Sequence, residues 1–225
     1  MSDNVYFVFS TPPPGMSLDD FGRWYDGHVA DILGVERWVA ARRFNLSPIN
    51  GDTSPTMYSH LSLYVTEGDP AEADAKLREA SRAGRTPHED WWDRVRVCSF
   101  FGDGLEGPID LTRLDHTYIV FSRQPEQMAL DDYVDWYRTH ARENLTADGF
   151  EAVWRYRLAP SRIDPDAPGT STHAAIYEVH GELPELRAAL REAADAGRVG
   201  FPDWFDDILF ASIDGRAAAP TATSD

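Results

Sequence analysis

Apolar and polar positions follow the same pattern twice along the chain. Each copy begins with a short continuous apolar run, at residues 5–9 and 117–121, that is rich in β-branched and aromatic residues. Such a run is typical of a strand covered on both faces. A segment with helical apolar spacing comes next, followed by two strand-like segments, a second helix opened by proline and closed by glycine, and a last strand. The pattern predicts the element order βαββαβ, twice.

The two copies also match residue by residue. Residues 18–33 align with residues 130–145 at a shift of 112, and seven of the sixteen positions are identical, where chance gives about one. Later matches keep the same order along the chain, including His60 with His173, Tyr64 with Tyr177, and Asp90 with Asp203. Self-comparison therefore predicts that the chain is a tandem duplication.

The order βαββαβ is the ferredoxin-like arrangement, in which both helices cover one face of an antiparallel sheet. The other face stays apolar and needs a cover, which a second copy in the same chain supplies. We therefore predict an α+β fold in which two ferredoxin-like repeats pack sheet to sheet as an intramolecular dimeric α+β barrel. The expected divisions are a first repeat at 1–103, a Gly/Pro/Asp-rich linker at 104–115, a second repeat at 116–215 and a disordered tail at 216–225.

The charge of the chain removes several classes of partner. Lys and Arg number 21 and Asp and Glu 38, a net charge of −17 that repels phosphate backbones and anionic lipid surfaces, so we expect neither nucleic acid nor membrane as a partner. A secretory signal pattern and a run of about 20 apolar residues are both missing from the sequence, which predicts a cytoplasmic protein. The sequence also lacks metal-ligand spacing, glycine-rich phosphate motifs and a nucleophile elbow, so no metal is expected.

A short motif recurs in the first helix of each copy. It reads Trp-Tyr-x-x-His, at Trp24, Tyr25 and His28 and again at Trp136, Tyr137 and His140. Together with the apolar first strand and the Arg-Phe-like end of the second strand, this motif resembles the EthD-like group of the dimeric α+β barrel superfamily. That superfamily includes polyketide cyclases and dehydratases, muconolactone isomerases, cofactor-free monooxygenases and haem-binding degradation enzymes. The resemblance implies a ligand site in the cleft between helices and sheet, and it indicates a shape more than a reaction.

The histidines of this motif are the first candidates for chemistry. Each lies four residues after a tryptophan and three after a tyrosine, so the three rings are neighbours on one helical surface. An imidazole in an apolar cleft can exchange a proton near neutral pH, and a neighbouring phenol can donate to a developing enolate. The alternative is that both histidines are core residues. The predicted catalytic residues are His28, His140, Tyr25 and Tyr137, and Trp24 and Trp136 are expected to stack on the substrate.

Further substrate-binding candidates lie on the second and third strands. His60 and His173 open the third strand on the side of Tyr64 and Tyr177, so they would enter the cavities from below if that side faces the helices. A surface position at the strand end is the alternative.

Arg42 stands in a predicted row with Trp38, Ala40, Phe44 and Leu46, where the second copy has Trp154. A guanidinium there needs an anion, either a ligand carboxylate or phenolate or an internal aspartate. His88 and His180 are expected in loops.

The leading functional hypothesis is an enzyme, a lyase, isomerase or cyclase that works without a cofactor. It would act on a small aromatic or polyketide-like ketone or phenol by histidine-based proton transfer. One alternative is a haem-binding monooxygenase or degradation enzyme with His28 or His140 as axial ligand. Another is a non-catalytic module that binds a hydrophobic metabolite. The expected partner is a small hydrophobic or aromatic molecule, and the sequence leaves open a homodimer of the internal pseudo-dimer.

Overall fold

The computed structural model describes residues 4–50, 58–162 and 171–224. The first half contains β1 (Asn4–Thr11), α1 (Leu18–Leu33), β2 (Trp38–Asn50), β3 (His60–Thr66), α2 (Pro70–Arg82) and β4 (Arg96–Gly104). The second half contains β5 (His116–Arg123), α3 (Leu130–Glu143), β6 (Phe150–Arg162), β7 (His173–Val179), α4 (Leu183–Asp195), β8 (Leu209–Ala217) and the short β9 (Ala222–Thr223). Within these ranges, no helix is long and apolar enough to cross a membrane.

The eight long strands form one closed antiparallel barrel. Their order is β3-β1-β4-β6-β7-β5-β8-β2, and β2 closes the ring by pairing with β3. The two halves of the chain meet at the β4–β6 and β8–β2 pairs. Four helices cover the outside, so the predicted α+β class and barrel are confirmed.

The strands that begin each half are buried on both faces. In β1, Phe7 and Phe9 point into the barrel interior, while Val8 packs beneath the helices. In β5, Phe121 lies in the barrel interior and Tyr118 in the helix-side core. This two-sided burial is the physical reason that both segments read as continuous apolar runs.

The first helix of each half places its aromatic stripe against the sheet. Helix α1 begins after Ser17, whose hydroxyl accepts the Asp20 N–H at 3.1 Å. Its buried face includes Tyr25 and His28, and the corresponding face of α3 includes Tyr137 and His140. Apolar spacing of this kind brings residues three and four apart to one side of a helix.

The predicted orientation of Trp38 in β2 is wrong. The sequence predicts Trp38 on the same face as Phe44, but a bulge in β2 between Trp38 and Ala40 shifts the register. Trp38 therefore lies in the helix-side core, where its Nε1 donates to the Ala73 carbonyl at 3.1 Å, whereas Phe44 lies inside the barrel. Because a bulge adds one residue, it moves every earlier side chain to the opposite face. Strand β6 has the same irregularity between Phe150 and Ala152.

The segment that connects the halves is anchored by β2 and β6. Arg42 donates to the carbonyls of Leu111 at 2.5 Å and Thr112 at 2.9 Å, and it forms an ion pair with Asp115. At the aligned position in β6, Trp154 Nε1 donates to the Pro108 carbonyl at 3.0 Å. The difference between Arg42 and Trp154 is explained by these different anchors. Both Nη atoms of Arg42 are thus used within the protein, whereas its Nε is buried without a partner among the described residues.

The C-terminal tail is predicted to be disordered, but it contains strand residues in the structure. Strand β8 continues to Ala217, and Ala222–Thr223 forms β9 against residues 40 and 41 of β2. The Ala218 N–H also donates to the Arg43 carbonyl at 2.8 Å. Beyond the stretch paired with β8, one edge of β2 is open, and backbone pairing there needs no large apolar side chain. Composition alone could not reveal this partner.

Candidate active site

Two cavities lie between the helices and the outer face of the sheet, one in each half. The N-terminal cavity has a volume of about 240 Å³ and is bounded by β1, α1, α2, β4 and the loop after α2. The C-terminal cavity has a volume of about 160 Å³ and is bounded by the corresponding elements of the second half. A dry cavity of about 150 Å³ suffices for benzene. Either cavity can therefore hold a small aromatic molecule.

The C-terminal cavity contains a histidine with a defined orientation. The His140 ring is stacked on Trp136, with ring centroids 4.8 Å apart and planes 16° apart. Its Nδ1 lies 3.2 Å from the Gly200 carbonyl oxygen, which can only accept a hydrogen bond. This contact fixes the tautomer with the proton on Nδ1, so Nε2 carries the free lone pair. The arrangement suits a proton acceptor.

A glutamate holds the glycine that orients this ring. The Gly200 N–H donates to Glu143 Oε2 at 2.9 Å, and the same oxygen lies 3.9 Å from His140 Nδ1. Burial lowers the pKa of His140, while the Gly200 carbonyl and the Glu143 charge act in the opposite direction. The imidazole is therefore neutral at pH 7, which is the form that accepts a proton.

Tyrosines of the C-terminal cavity differ in how their hydroxyls are used. Tyr133 donates to Ser122 Oγ at 2.7 Å, and the Tyr177 hydroxyl accepts from Asn144 Nδ2 at 3.0 Å. The Tyr137 hydroxyl is buried and has no hydrogen-bond partner in the described part of the chain. Burial raises the pKa of Tyr137 well above its usual value, so it remains a neutral O–H donor. A ligand oxygen would satisfy it.

The N-terminal cavity has the same motif with different support. His28 stacks on Trp24, with ring centroids 4.8 Å apart and planes 15° apart. Position 87, which aligns with Gly200, is Pro87, and proline has no N–H to be held by a carboxylate. Nδ1 of His28 is buried without a partner among the described residues. Burial first, and then the neighbouring His88, lower the pKa of His28 to about 4.

The structure brings some of the predicted site residues to the cavity walls. His28 and Tyr25 line the N-terminal cavity. His140, Tyr137, Trp136 and Tyr177 line the C-terminal cavity.

Arg42 and four other candidates are not on these walls. Trp24 lies behind the His28 ring, and Tyr64 packs against Trp38 with ring centroids 5.4 Å apart. His60 and His173 are buried beneath the helices, which excludes the surface alternative. They are covered by the first-turn aromatic residues of α1 and α3, Phe21 at 5.3 Å and Tyr133 at 5.0 Å between ring centroids. Both histidines lie on the same side of the third strand as Tyr64 and Tyr177, as the sequence predicts. The sequence does not predict the aromatic ring that covers each histidine.

Sequence reasoning missed several residues of the N-terminal cavity. His88 lies in a loop, as expected, yet its ring centroid is 5.2 Å from that of His28 and 4.7 Å from that of Trp92. Arg162 reaches this cavity from β6 in the other half of the chain. The alignment of the two copies contained one usable signal, because His88 aligns with Phe201, another ring at the wall of its cavity.

His116 is placed away from both cavities. Its Nε2 lies 2.5 Å from Asp214 Oδ1, and both side chains are buried.

Comparison with known proteins gives matches in structure and none in sequence. No protein-family model matches the chain, and no curated protein matches it. An anthrone oxidase-like protein is 13% identical with a TM-score of 0.58, over 99% of this chain and 93% of that one.

Two further solved structures cover nearly all of the chain. A protein provisionally assigned as a chlorite dismutase is 11% identical with a TM-score of 0.50, over 96% of this chain and 95% of that one. A protein from Fusobacterium nucleatum provisionally assigned as a monooxygenase is 9% identical with a TM-score of 0.50, over 100% and 97%. Identities this low show the fold alone. The chain therefore shares an α+β barrel fold with these structures.

Proposed function

We propose that the C-terminal cavity is the active site of an enzyme that transfers protons without a cofactor. Its substrate is a small aromatic or polyketide-like ketone or phenol, and the reaction is that of a lyase, isomerase or cyclase. The observation that carries the proposal is the Gly200 carbonyl on His140 Nδ1, which leaves Nε2 as the proton acceptor in an apolar cavity. Proton transfer by a positioned side chain contributes about 10²–10⁴-fold to a rate.

The evolutionary part of the proposal is a tandem duplication of an EthD-like half-barrel, within the repeat boundaries expected above. In each half the strands neighbour one another in the order fourth, first, third, second, which is the ferredoxin-like order. The repeated Trp-Tyr-x-x-His motif occupies the same position on α1 and α3. These correspondences support a common ancestor for the halves.

The proposed reaction uses four side chains of the C-terminal cavity. The substrate ring lies against the walls formed by Trp136 and Phe205. Nε2 of His140 takes a proton from the carbon next to the carbonyl, and the electron pair of that C–H bond forms an enolate. The Tyr137 hydroxyl donates a hydrogen bond to the enolate oxygen, where negative charge develops. The imidazolium then returns the proton to the substrate, so the base is regenerated.

We favour a small organic ligand over haem, the alternative cofactor. The C-terminal cavity has a volume of about 160 Å³ and the N-terminal cavity a volume of about 240 Å³, sizes that suit a molecule built on one aromatic ring.

The proposal can be tested by deuterium incorporation from D₂O into 2-indanone and phenylacetone, two small aromatic ketones with acidic C–H groups. We expect the wild-type protein to catalyse exchange in at least one of them. His140→Gln should lower the exchange rate at least about 100-fold, since glutamine cannot accept the proton. The matched variant His28→Gln should change it less than about twofold.

Other results would contradict the proposal. Equal rates in the two variants would remove His140 as the base, and exchange catalysed in neither ketone would reject the activity. Thermal stabilisation by a ketone without any exchange would support the binding-module alternative.

A further inference from the structure

The N-terminal cavity is lined by cationic and titratable groups in a strongly acidic protein. Arg78, Arg162, His28 and His88 all line it. No aspartate or glutamate is among the described residues of its wall, although the chain contains 38 acidic residues. A wall of this composition favours a negatively charged group inside the cavity.

Two buried polar atoms of this wall have no partner in the described structure. Thr86 is 2% exposed, and its Oγ1 makes no hydrogen bond. Nδ1 of His28 is likewise buried and unbonded. An unsatisfied buried polar group costs about 1–3 kcal/mol. Two such groups in one cavity indicate that a polar ligand completes it.

The arginines differ in how free they are to bind an anion. Arg78 Nη2 lies 2.6 Å from Asp74 Oδ2, so its charge is shared with a carboxylate of its own helix. Arg162 has no carboxylate partner in the described part of the chain. Its charge is felt inside the cavity, because after burial it contributes to the lowered pKa of His88. Arg162 is therefore the guanidinium available for an incoming anion.

Most of the remaining wall is apolar or aromatic, and Ser81 and Ser99 add two hydroxyls. Val8, Ile32 and Val97 form one part of it, and Trp92 supplies an indole next to His88. The volume of about 240 Å³ exceeds what benzene needs by about 90 Å³, which leaves space for a carboxylate.

We propose that the N-terminal cavity is a second ligand site, which binds a small aromatic carboxylate. The carboxylate lies at Arg162 and accepts a hydrogen bond from the Thr86 hydroxyl, and the aromatic ring lies against Trp92. A guanidinium suits a carboxylate because its parallel N–H groups match the two oxygens. This site is separate from the C-terminal cavity and does not depend on the reaction proposed there.

The second half of the chain supports the assignment by contrast. At the position of Thr86 it has Val199, and at that of His88 it has Phe201. Both replacements are apolar and line the C-terminal cavity. The polar groups of the N-terminal cavity are therefore not required by the fold, since the same elements form around apolar residues.

The probe for this proposal is 4-fluorobenzoate, titrated into the full chain and followed by ¹⁹F NMR. The neutral comparison is 4-fluorobenzamide, which has nearly the same shape without the charge. We expect saturable binding of the benzoate and at least about tenfold weaker binding of the benzamide. Arg162→Gln should weaken benzoate binding at least about tenfold and leave benzamide binding unchanged. Arg162 is exposed, so this variant should fold.

A second pair of variants locates the site. Thr86→Val copies the residue of the other half and should also weaken benzoate binding, while His140→Gln should leave it unchanged. The proposal is overturned if wild-type protein does not bind the benzoate below about 10 mM, or if Arg162→Gln keeps full affinity. It is equally overturned if His140→Gln, and not Arg162→Gln, abolishes binding, because the ligand would then occupy the C-terminal cavity.

Discussion

The two cavities have the same helix motif and differ in the residues behind it. In the C-terminal half, Gly200 bonds to His140 and is held by Glu143. In the N-terminal half, Pro87 replaces the glycine, and His28 Nδ1 has no partner in the described structure. Two equal Trp-Tyr-x-x-His motifs thus give one oriented base and one buried, weakly basic imidazole. The chemistry of a histidine is set by its neighbours, which the motif does not include.

The cavities also differ in charge. The described wall of the C-terminal cavity contains no arginine, lysine or carboxylate, whereas the N-terminal wall includes Arg78 and Arg162. A neutral ketone suits the first environment and an anion the second. The comparison therefore favours a different ligand chemistry in each half of the barrel.

The largest expected effect is a difference in stability between two arginine–carboxylate ion pairs, one formed by Arg155 and one by the aligned Arg43. Arg155 is 2% exposed, and its Nη2 lies 3.2 Å from Glu106 Oε1, a carboxylate with a side-chain exposure of 18%. The aligned Arg43 pairs with Asp26, whose side chain is 56% exposed. Glu106→Gln should lower the free energy of unfolding by about 3 kcal/mol, because it leaves a buried guanidinium without its counter-charge. Asp26→Asn should cost less than about 1 kcal/mol.

Urea denaturation of both variants measures this difference. Equal losses of unfolding free energy in the two variants would show that burial does not distinguish the pairs. An unchanged slope of the free energy with urea concentration is the control that both variants unfold from the same compact state.

A smaller effect tests the support of His140 directly. Gly200→Pro copies Pro87 and removes the N–H that donates a hydrogen bond to Glu143. This variant should lower the ketone exchange rate about tenfold. The matched variant Gly200→Ala keeps the N–H, and the added Cβ would lie 3.6 Å from Glu143 Oε2, an ordinary contact. Deuterium exchange should therefore be near wild type in Gly200→Ala. Full activity in Gly200→Pro would refute the positioning role of Gly200.

The smallest expected effect is a difference between two histidine titrations. Burial lowers both pKa values, but His88 lowers that of His28 further, whereas the Gly200 carbonyl and Glu143 oppose the shift of His140. We expect NMR titration to show His28 titrating near pH 4 and His140 titrating above His28 but below 6.5.

The pH dependence of the exchange rate follows from the same titration. A base must be unprotonated, so the exchange rate should be highest where His140 is neutral and fall as the pH falls through the pKa of His140. A rate that rises on acidification would contradict a neutral His140 as the base.

The sequence predicted the barrel and the helix faces that carry His28 and His140, but not the partners of those two histidines. Periodicity placed His28 and His140 on the inward faces of their helices, because local spacing determines which side of a helix is apolar. It could not reveal that Gly200, sixty residues from His140, orients the ring. Nor could it reveal that Arg162 of β6 reaches the cavity of the first half. Such contacts depend on how the sheet closes.

The amino-acid sequence by itself determined the duplicated element order, the two-sided burial of β1 and β5, and the aromatic stripe that carries each histidine. Tertiary structure alone decided that a bulge turns Trp38 toward the helices, that Arg42 holds the connecting segment, and that the C-terminal residues pair with β2. The reason is physical. Hydrophobic patterning records whether a residue is buried, whereas register, bulges and hydrogen-bond partners arise between segments distant in the chain.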